Sequence, residues 1–211
     1  MKEFNIDFLY LLQELSRSIS TLSIMVDSTF NSIDDMHKWK YEDKDEMKHL
    51  GGTLFQMQDK SVEFYILGIS KIIEDFFNNL QLIRNCDLKI WDTFCDSVIY
   101  AKEIRLLRHL SNVIKHDNSI IFIPSRNQST QMMIKTYNLT ETTPINTIDF
   151  FKNNQKENIL KHLYMTHEFC YEILSLTNIF KKEKQYLEDS EIVKYMFKNY
   201  IYNIPGHPKK L

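Results

Sequence analysis

Apolar residues recur at spacings of three and four over most of this chain, and that spacing constrains its fold more than any other feature. An α-helix turns about 100° per residue, so apolar side chains three and four apart share one face that must be buried. Glycine and proline, which punctuate loops and sheets, number only four each among 211 residues. The pattern predicts a mainly α protein, an up-and-down bundle of about four long helices, with a small β-hairpin after the third and a short C-terminal helix.

Four segments carry the helical pattern. The predicted ranges are 4–34, 53–84, 88–116 (as one helix or two) and 147–180. Gly51-Gly52 is the clearest break in the sequence, and Thr53 is predicted to cap the helix that follows it. The charged residues 34–48 before that break form a connector or a solvated helical turn, and Asn146 or Thr147 is predicted to cap the fourth helix.

The apolar spacing changes after the third segment. Residues 119–124 and 131–137 are short, apolar runs separated by a polar loop, which predicts a two-stranded hairpin inserted over 118–139. Residues 190–202 have the spacing of a short amphipathic helix, and the proline-containing tail 205–211 is not expected to be helical. The whole chain, 1–211, is predicted to form a single domain.

Composition excludes several classes of function. The net charge of −2 does not favour bulk affinity for nucleic acid or membrane, although it leaves a local basic patch open. No apolar run is long enough for a transmembrane helix, and no signal peptide is visible, so we expect a cytoplasmic protein with no membrane partner. Cys86, Cys95 and Cys170 lack metal-ligand spacing and indicate buried thiols in a reducing compartment. No metal or other cofactor is expected.

Chemically useful side chains are concentrated in residues 103–117. On a helix, Arg105, Arg108, Asn112 and His116 fall in one narrow stripe, with His109 and Lys115 at its margins. The other side of the same helix is apolar and carries Leu106, Leu107, Leu110, Val113 and Ile114. One helix can therefore bury one face and present cations, imidazoles and an amide together on the other.

Such a stripe suits a phosphate or a carboxylate. Guanidinium groups contact these anions in a bidentate manner, and a histidine beside them can move protons near neutral pH. Cleavage of RNA needs both a proton-transfer group and cations, because cations stabilise the negative charge that develops on the phosphate. The plainer interpretation is a solvated helix face, because helices commonly expose Arg, Lys and His. His116 could also lie at the helix end simply because the macrodipole favours a cation there.

The run Arg108-His-Leu-Ser-Asn-Val-Ile-Lys-His-Asp117, followed by a short predicted hairpin, resembles the HEPN superfamily. The resemblance implies a small helical bundle, commonly a homodimer, from a bacterial toxin–antitoxin, phage-defence or related conflict system. Many members are metal-independent endoribonucleases. It also implies that Asn112 and His116 match the polar residue and histidine of the family motif, with His116 transferring protons, an arginine contacting the scissile phosphate, and two motifs facing each other across a dimer.

The chain departs from the family pattern at one position. Ser111 stands directly before Asn112, where the family motif has its arginine. Arg108 lies one turn earlier, on the face that Asn112 and His116 share, with seven residues between it and His116. We expect Arg108, Asn112 and His116 to form the catalytic set, and Arg105, His109 and Lys115 to bind RNA phosphates.

Two other functions compete with this hypothesis. A non-catalytic interaction module (an antitoxin, an immunity protein or an assembly subunit) would bind a cognate protein partner and would not depend on His116. Its partner surface could include the charged runs at 34–48 and 181–189. A small-ligand sensor would need a polar pocket in the bundle core, whereas the predicted helix faces are continuously apolar.

Overall fold

A computed structural model describes residues 6–39, 43–84, 98–148 and 153–176 of the chain. The elements in chain order are α1 (Ile6–Met36), α2 (Lys44–Arg84), α3 (Ala101–His116), β1 (Ile120–Ile121), α4 (Gln128–Tyr137), β2 (Thr143–Pro144), a 3-10 turn (Ile145–Thr147) and α5 (Gln155–Leu176). The described part of the chain is a mainly α bundle with one small two-stranded antiparallel sheet, as predicted.

Helices α1 and α2 pack antiparallel. Leu22 lies against Gly68, and the Tyr65 hydroxyl donates to the backbone carbonyl of Met25 at 2.9 Å, so positions rise along one helix as they fall along the other. The Thr29 hydroxyl lies 2.6 Å from the same Tyr65 oxygen, and Thr29 is the donor there because the single phenolic hydrogen is already used. A Cβ at Gly68 would stand 3.0 Å from a Leu22 methyl, so this glycine permits the close approach of the two helices.

Helices α3 and α5 complete the core. Ile104, Leu107 and Val113 of α3 are buried in the same apolar cluster as residues of α1, α2 and α5. The rings of Phe77 in α2 and Phe169 in α5 meet edge to face, with centroids 6.3 Å apart. Burial of one large apolar side chain stabilises the fold by roughly 1.5–3 kcal/mol. The buried side chains of α3 therefore fix which face of that helix packs against the core.

The predicted break at Gly51-Gly52 is wrong, because α2 runs through it without interruption. Thr53 does not cap a helix there; its hydroxyl donates to the carbonyl of His49 at 3.0 Å. Two glycines cost the helix about 2 kcal/mol relative to alanine, and good helix formers on both sides outweigh that cost. The charged run 34–48 is divided between two helices: residues 34–36 end α1, and residues 44–48 begin α2, where Asp45 and Glu46 interact favourably with the helix dipole.

The predicted second strand, 131–137, is also wrong. Those residues lie in α4, which begins after Asn127, whose side-chain oxygen accepts from the backbone N–H of Ser129 at 2.8 Å and of Thr130 at 3.5 Å. This cap and the helix-forming methionines outweigh the β-branched residues. The first predicted strand is present as β1, and its partner is β2, with Ile120 opposite Pro144 and Ile121 opposite Thr143.

Other boundaries also differ from those predicted. Asn146 and Thr147 lie in the 3-10 turn and do not cap α5, which begins at Gln155. Tyr100 adopts a left-handed conformation with φ 62°, so α3 begins directly after it. The parts of the predicted segments at 85–97 and 177–180, the charged run 181–189, the terminal helix 190–202 and the tail 205–211 lie outside the described residues, as do Cys86 and Cys95.

Cys170 is buried in α5, and burial raises the pKa of its thiol far above the usual range. Among the helices that the structure describes, none is both long enough and apolar enough to cross a bilayer.

The continuity of α2 can be tested with its own glycines. A Cβ at Gly51 or Gly52 would meet nothing within 4 Å, so the double variant Gly51→Ala/Gly52→Ala should stabilise the helix by up to about 1 kcal/mol per site. Helical content by circular dichroism and the free energy of unfolding in urea should both rise. Gly68→Ala, in the same helix but against Leu22, is the matched control: the close contact with Leu22 should offset the gain in helix propensity, so the free energy of unfolding should rise less than it does per site in the double variant. If the double variant instead loses helical content, α2 is not continuous and the predicted break at Gly51-Gly52 is correct.

Candidate nucleic-acid interface

Helix α3 buries one face and presents the other, as its sequence predicts. The six predicted site residues all lie outside the core: Arg105, Arg108, His109 and Asn112 are half-buried, and Lys115 and His116 are exposed. The sequence produces this division because the apolar residues of α3 repeat at helical spacing and the polar ones fill the remaining arc.

Helix α4 lies on part of the polar face. The Ser129 hydroxyl, itself buried, accepts a hydrogen bond from Asn112 Nδ2 at 3.0 Å and lies 3.1 Å from His109 Nδ1. Asn112 and His109 therefore join α3 to α4 through one hydroxyl. Ser129 was not a predicted site residue, because its segment was interpreted as a loop and strand; the sequence Asn127-Gln-Ser-Thr is nevertheless a helix-start signal.

Burial, neighbouring charges and the contact with Ser129 all bear on the protonation of the His109 ring. Burial lowers the pKa of His109, and the positive charges of Arg108 and Arg105 lower it further, so the neutral imidazole is favoured. Ser129 has one hydroxyl hydrogen, which it can donate to Nδ1 while its oxygen accepts from Asn112. The ring proton of His109 then resides on Nε2.

The end of α3 has its own contacts. The Thr130 hydroxyl of α4 donates to Asp117 Oδ2, directly after the helix. Lys115 forms an ion pair with Glu74 of α2, Nζ to Oε1 3.5 Å, and both side chains are partly exposed. An ion pair of this kind contributes at most about 1 kcal/mol. His116 is exposed on the last turn of the helix, so the predicted proton-transfer residue is accessible from solvent.

Ser111 points into the core. It is 0% exposed, and its hydroxyl has no hydrogen-bond partner in the described part of the chain. Ser111 follows buried Leu107 by four residues and buried Ile104 by seven, so it falls on the apolar side of the helix. The residue that the HEPN resemblance would align with the family arginine is therefore buried, and Arg108 is the arginine nearest in sequence to Asn112 on the polar face. The burial of Ser111 was not predicted from the sequence.

The histidines of α5 lie elsewhere. His162 Nδ1–H donates to the carbonyl of Asn158 at 2.7 Å, and burial lowers the pKa of His162. His167 is buried and stacks on Tyr171 at a centroid distance of 6.2 Å. Within the described ranges no three His, Cys, Asp or Glu side chains lie close enough together to hold a metal ion.

Comparison of the chain with protein-family models, with curated proteins and with solved structures gives no match.

Burial of two histidines gives a prediction for the dependence of stability on pH. The folded-state pKa values of His109 and His162 lie below their ordinary value of 6.5, so the unfolded chain binds more protons. Their contribution to stability is complete above about pH 6.5 and is lost as the pH falls towards the folded-state values. The free energy of unfolding should therefore decrease as the pH falls from about 7.5 to about 5.5.

The variants His109→Gln and His162→Gln should each reduce that decrease, and the double variant should reduce it most. Urea unfolding at a series of pH values measures the effect. If the double variant loses stability as steeply as the parent protein, the two buried rings are not its cause.

Proposed function

We propose that the protein binds RNA on the polar face of α3 and cleaves it without a metal ion, as a HEPN-like protein of a bacterial conflict or defence system. The observation that carries the proposal is the cluster of cations on that face: Arg105 and Arg108 are close enough to His109 to lower its pKa. Two guanidinium groups with an exposed His116 on the same helix favour a phosphate-rich ligand.

The chemistry needs one proton-transfer group and one cation at phosphorus. In the proposal, exposed His116 exchanges a proton with the 2′-oxygen or the leaving 5′-oxygen of the RNA. Ser111 is buried and carries no charge, so Arg108 replaces the family arginine in the proposal. Its guanidinium stabilises the negative charge that develops on the phosphate. Asn112 acts as a positioning residue, since its amide holds Ser129 and with it α4.

The HEPN resemblance adds a second copy of the chain to the proposal. Two α3 helices would meet across a two-fold axis, so that each copy brings one His116 to a shared site. Light scattering of the purified protein should then give the mass of a homodimer, and an equimolar mixture of His116→Ala and Arg108→Ala chains should recover part of the activity.

RNA cleavage in the presence of EDTA is the direct test. The parent protein should cleave single-stranded RNA, and His116→Ala should bind the same RNA with unchanged affinity but cleave it at least about a hundred-fold more slowly. Arg108→Ala should weaken binding and reduce the slope of log affinity against log salt by about 0.7–1. Gel analysis of products and fluorescence anisotropy measure the two effects.

The matched control is Lys38→Ala, which removes an exposed lysine, paired with Asp35, from a different part of the surface. It should leave both cleavage and the salt slope unchanged. Circular dichroism of each variant checks the fold. If no RNA is cleaved, or if the parent and His116→Ala cleave equally, the enzyme proposal is wrong.

A second candidate function is a non-catalytic module that binds a cognate protein. It is supported by large apolar side chains on the surface of α2, where Phe55 is 61%, Phe64 54% and Met47 52% exposed. Exposed aromatic and methionine side chains are enriched at protein interfaces. The hydrogen bonds that hold Asn112 and His109 to Ser129 are also compatible with a purely structural α3 face.

The two functions differ in which residues they need. If the protein is an interaction module, Phe55→Ser/Phe64→Ser should abolish co-purification of a stable partner, and His116→Ala should retain it. Gln56→Ser, exposed beside Phe55 on the same helix, is the control and should retain the partner. Hydrogen exchange of the complex should show protection on α2. Protection confined to α3, or loss of the partner in His116→Ala, contradicts the module.

A further inference from the structure

A cleft opens between the first half of α3 and the second half of α4. These helices run antiparallel, because Ser129 contacts His109 and Asn112 while the later residues of α4 lie beside the earlier residues of α3. The cleft has a volume of about 370 Å³, within the range of small-molecule sites, roughly 300–1,000 Å³. Its walls are formed by Lys102, Glu103, Arg105, Leu106 and His109 from α3, and by Met132 and Thr136 from α4.

The charge in this cleft favours an anion. Lys102 and Arg105 both line it, and the charge of Arg108 reaches the His109 ring. Glu103 is the one acidic residue among the lining side chains, and its charge also reaches His162 of α5, where it partly offsets the lowering of that histidine's pKa by burial. Cations therefore outnumber carboxylates around the cleft, and a guanidinium can contact a phosphate in a bidentate manner.

His109 gives the cleft a hydrogen-bond donor with a defined direction. Ser129 engages Nδ1, so Nε2 is the nitrogen through which the ring would meet a ligand in the cleft. The same hydroxyl is held by Asn112, which restricts rotation of the ring. A neutral imidazole with its proton on Nε2 donates to a phosphate or sugar oxygen without bringing another charge.

The remaining walls suit a flat apolar group. Leu106 is half-buried against the core, and Met132 is 37% exposed on the facing helix. Methionine adapts its shape and makes favourable sulfur contacts with aromatic rings. Thr136, exposed at the end of the cleft, adds a hydroxyl that can donate or accept. A ligand that carries both a phosphate and a planar heterocycle would use all of these groups.

We infer that the cleft between α3 and α4 is a binding site for one nucleoside phosphate unit, with Arg105 and Lys102 on the phosphate, His109 Nε2–H on a phosphate or sugar oxygen, and Leu106 and Met132 against the base. The inference rests on the proposed function in that the unit is one nucleotide of a bound RNA. A free mononucleotide offers the same chemistry. The site differs from the predicted catalytic set, because His116 does not line the cleft.

The experiment uses the full-length protein labelled with ¹⁵N. Adenosine 5′-monophosphate, adenosine and inorganic phosphate are titrated separately and followed by NMR, and a short oligoribonucleotide is followed by fluorescence anisotropy. The nucleotide should shift the resonances of Arg105, His109 and Thr136. Thr136→Trp, which fills the cleft from an exposed position, should weaken binding of the nucleotide or the RNA by roughly ten-fold or more. Lys135→Trp, exposed on the same helix but outside the cleft, should leave binding unchanged.

The outcomes separate this site from the nuclease proposal. Weakened RNA binding in Thr136→Trp assigns the cleft to a nucleotide within RNA, and weakened binding of adenosine 5′-monophosphate alone assigns it to a free nucleotide. Either result supports the site even if His116→Ala and the parent cleave RNA equally. The inference is wrong if neither ligand shifts the cleft resonances, if Thr136→Trp and Lys135→Trp behave alike, or if inorganic phosphate alone binds as tightly as the nucleotide. RNA cleavage that survives any of these results leaves the proposed function intact.

Discussion

A single hydroxyl group, that of Ser129, joins the two helices on which the candidate surface depends. It accepts from Asn112 at 3.0 Å and meets His109 at 3.1 Å, in a place where water has been excluded from the serine. An unsatisfied polar group left there would cost about 1–3 kcal/mol, so the three side chains stabilise one another's positions. Helix α4 is held across α3 by this junction and by the contact of Thr130 with Asp117. The cleft beside His109 exists because α4 lies there.

The junction divides the polar face of α3 into two parts. His109 and Asn112 belong to the interface between α3 and α4, where their hydrogen bonds to Ser129 hold the two helices together. Lys115 and His116 lie on the exposed last turn, with Lys115 paired to Glu74. A row of residues that is continuous on a helical projection is therefore divided between a contact with α4 and an exposed helix end.

Sequence patterns predicted the long helices and the buried face of α3 better than the boundaries of the elements. The amphipathic character of α3 was predictable because Leu107, Leu110 and Val113 recur at helical spacing, and burial of an apolar face does not depend on which neighbour covers it. The break at Gly51-Gly52 was predicted wrongly, because glycine is unfavourable in a helix by only about 1 kcal/mol and the surrounding residues favour the helix. The strand over 131–137 was predicted wrongly because the cap supplied by Asn127 was not recognised.

The sequence by itself determined the helical class of the fold, the phase of α3 and the set of cations and imidazoles on its polar side, since all three follow from spacing along one element. The burial of Ser111 follows from the same phase, although it was not predicted. The tertiary structure alone decided which of those polar residues contact α4 and which are exposed to solvent. Ser129 reaches His109 and Asn112 across 20 and 17 positions of the chain, through a turn and a two-residue strand, and no periodicity encodes a contact of that separation.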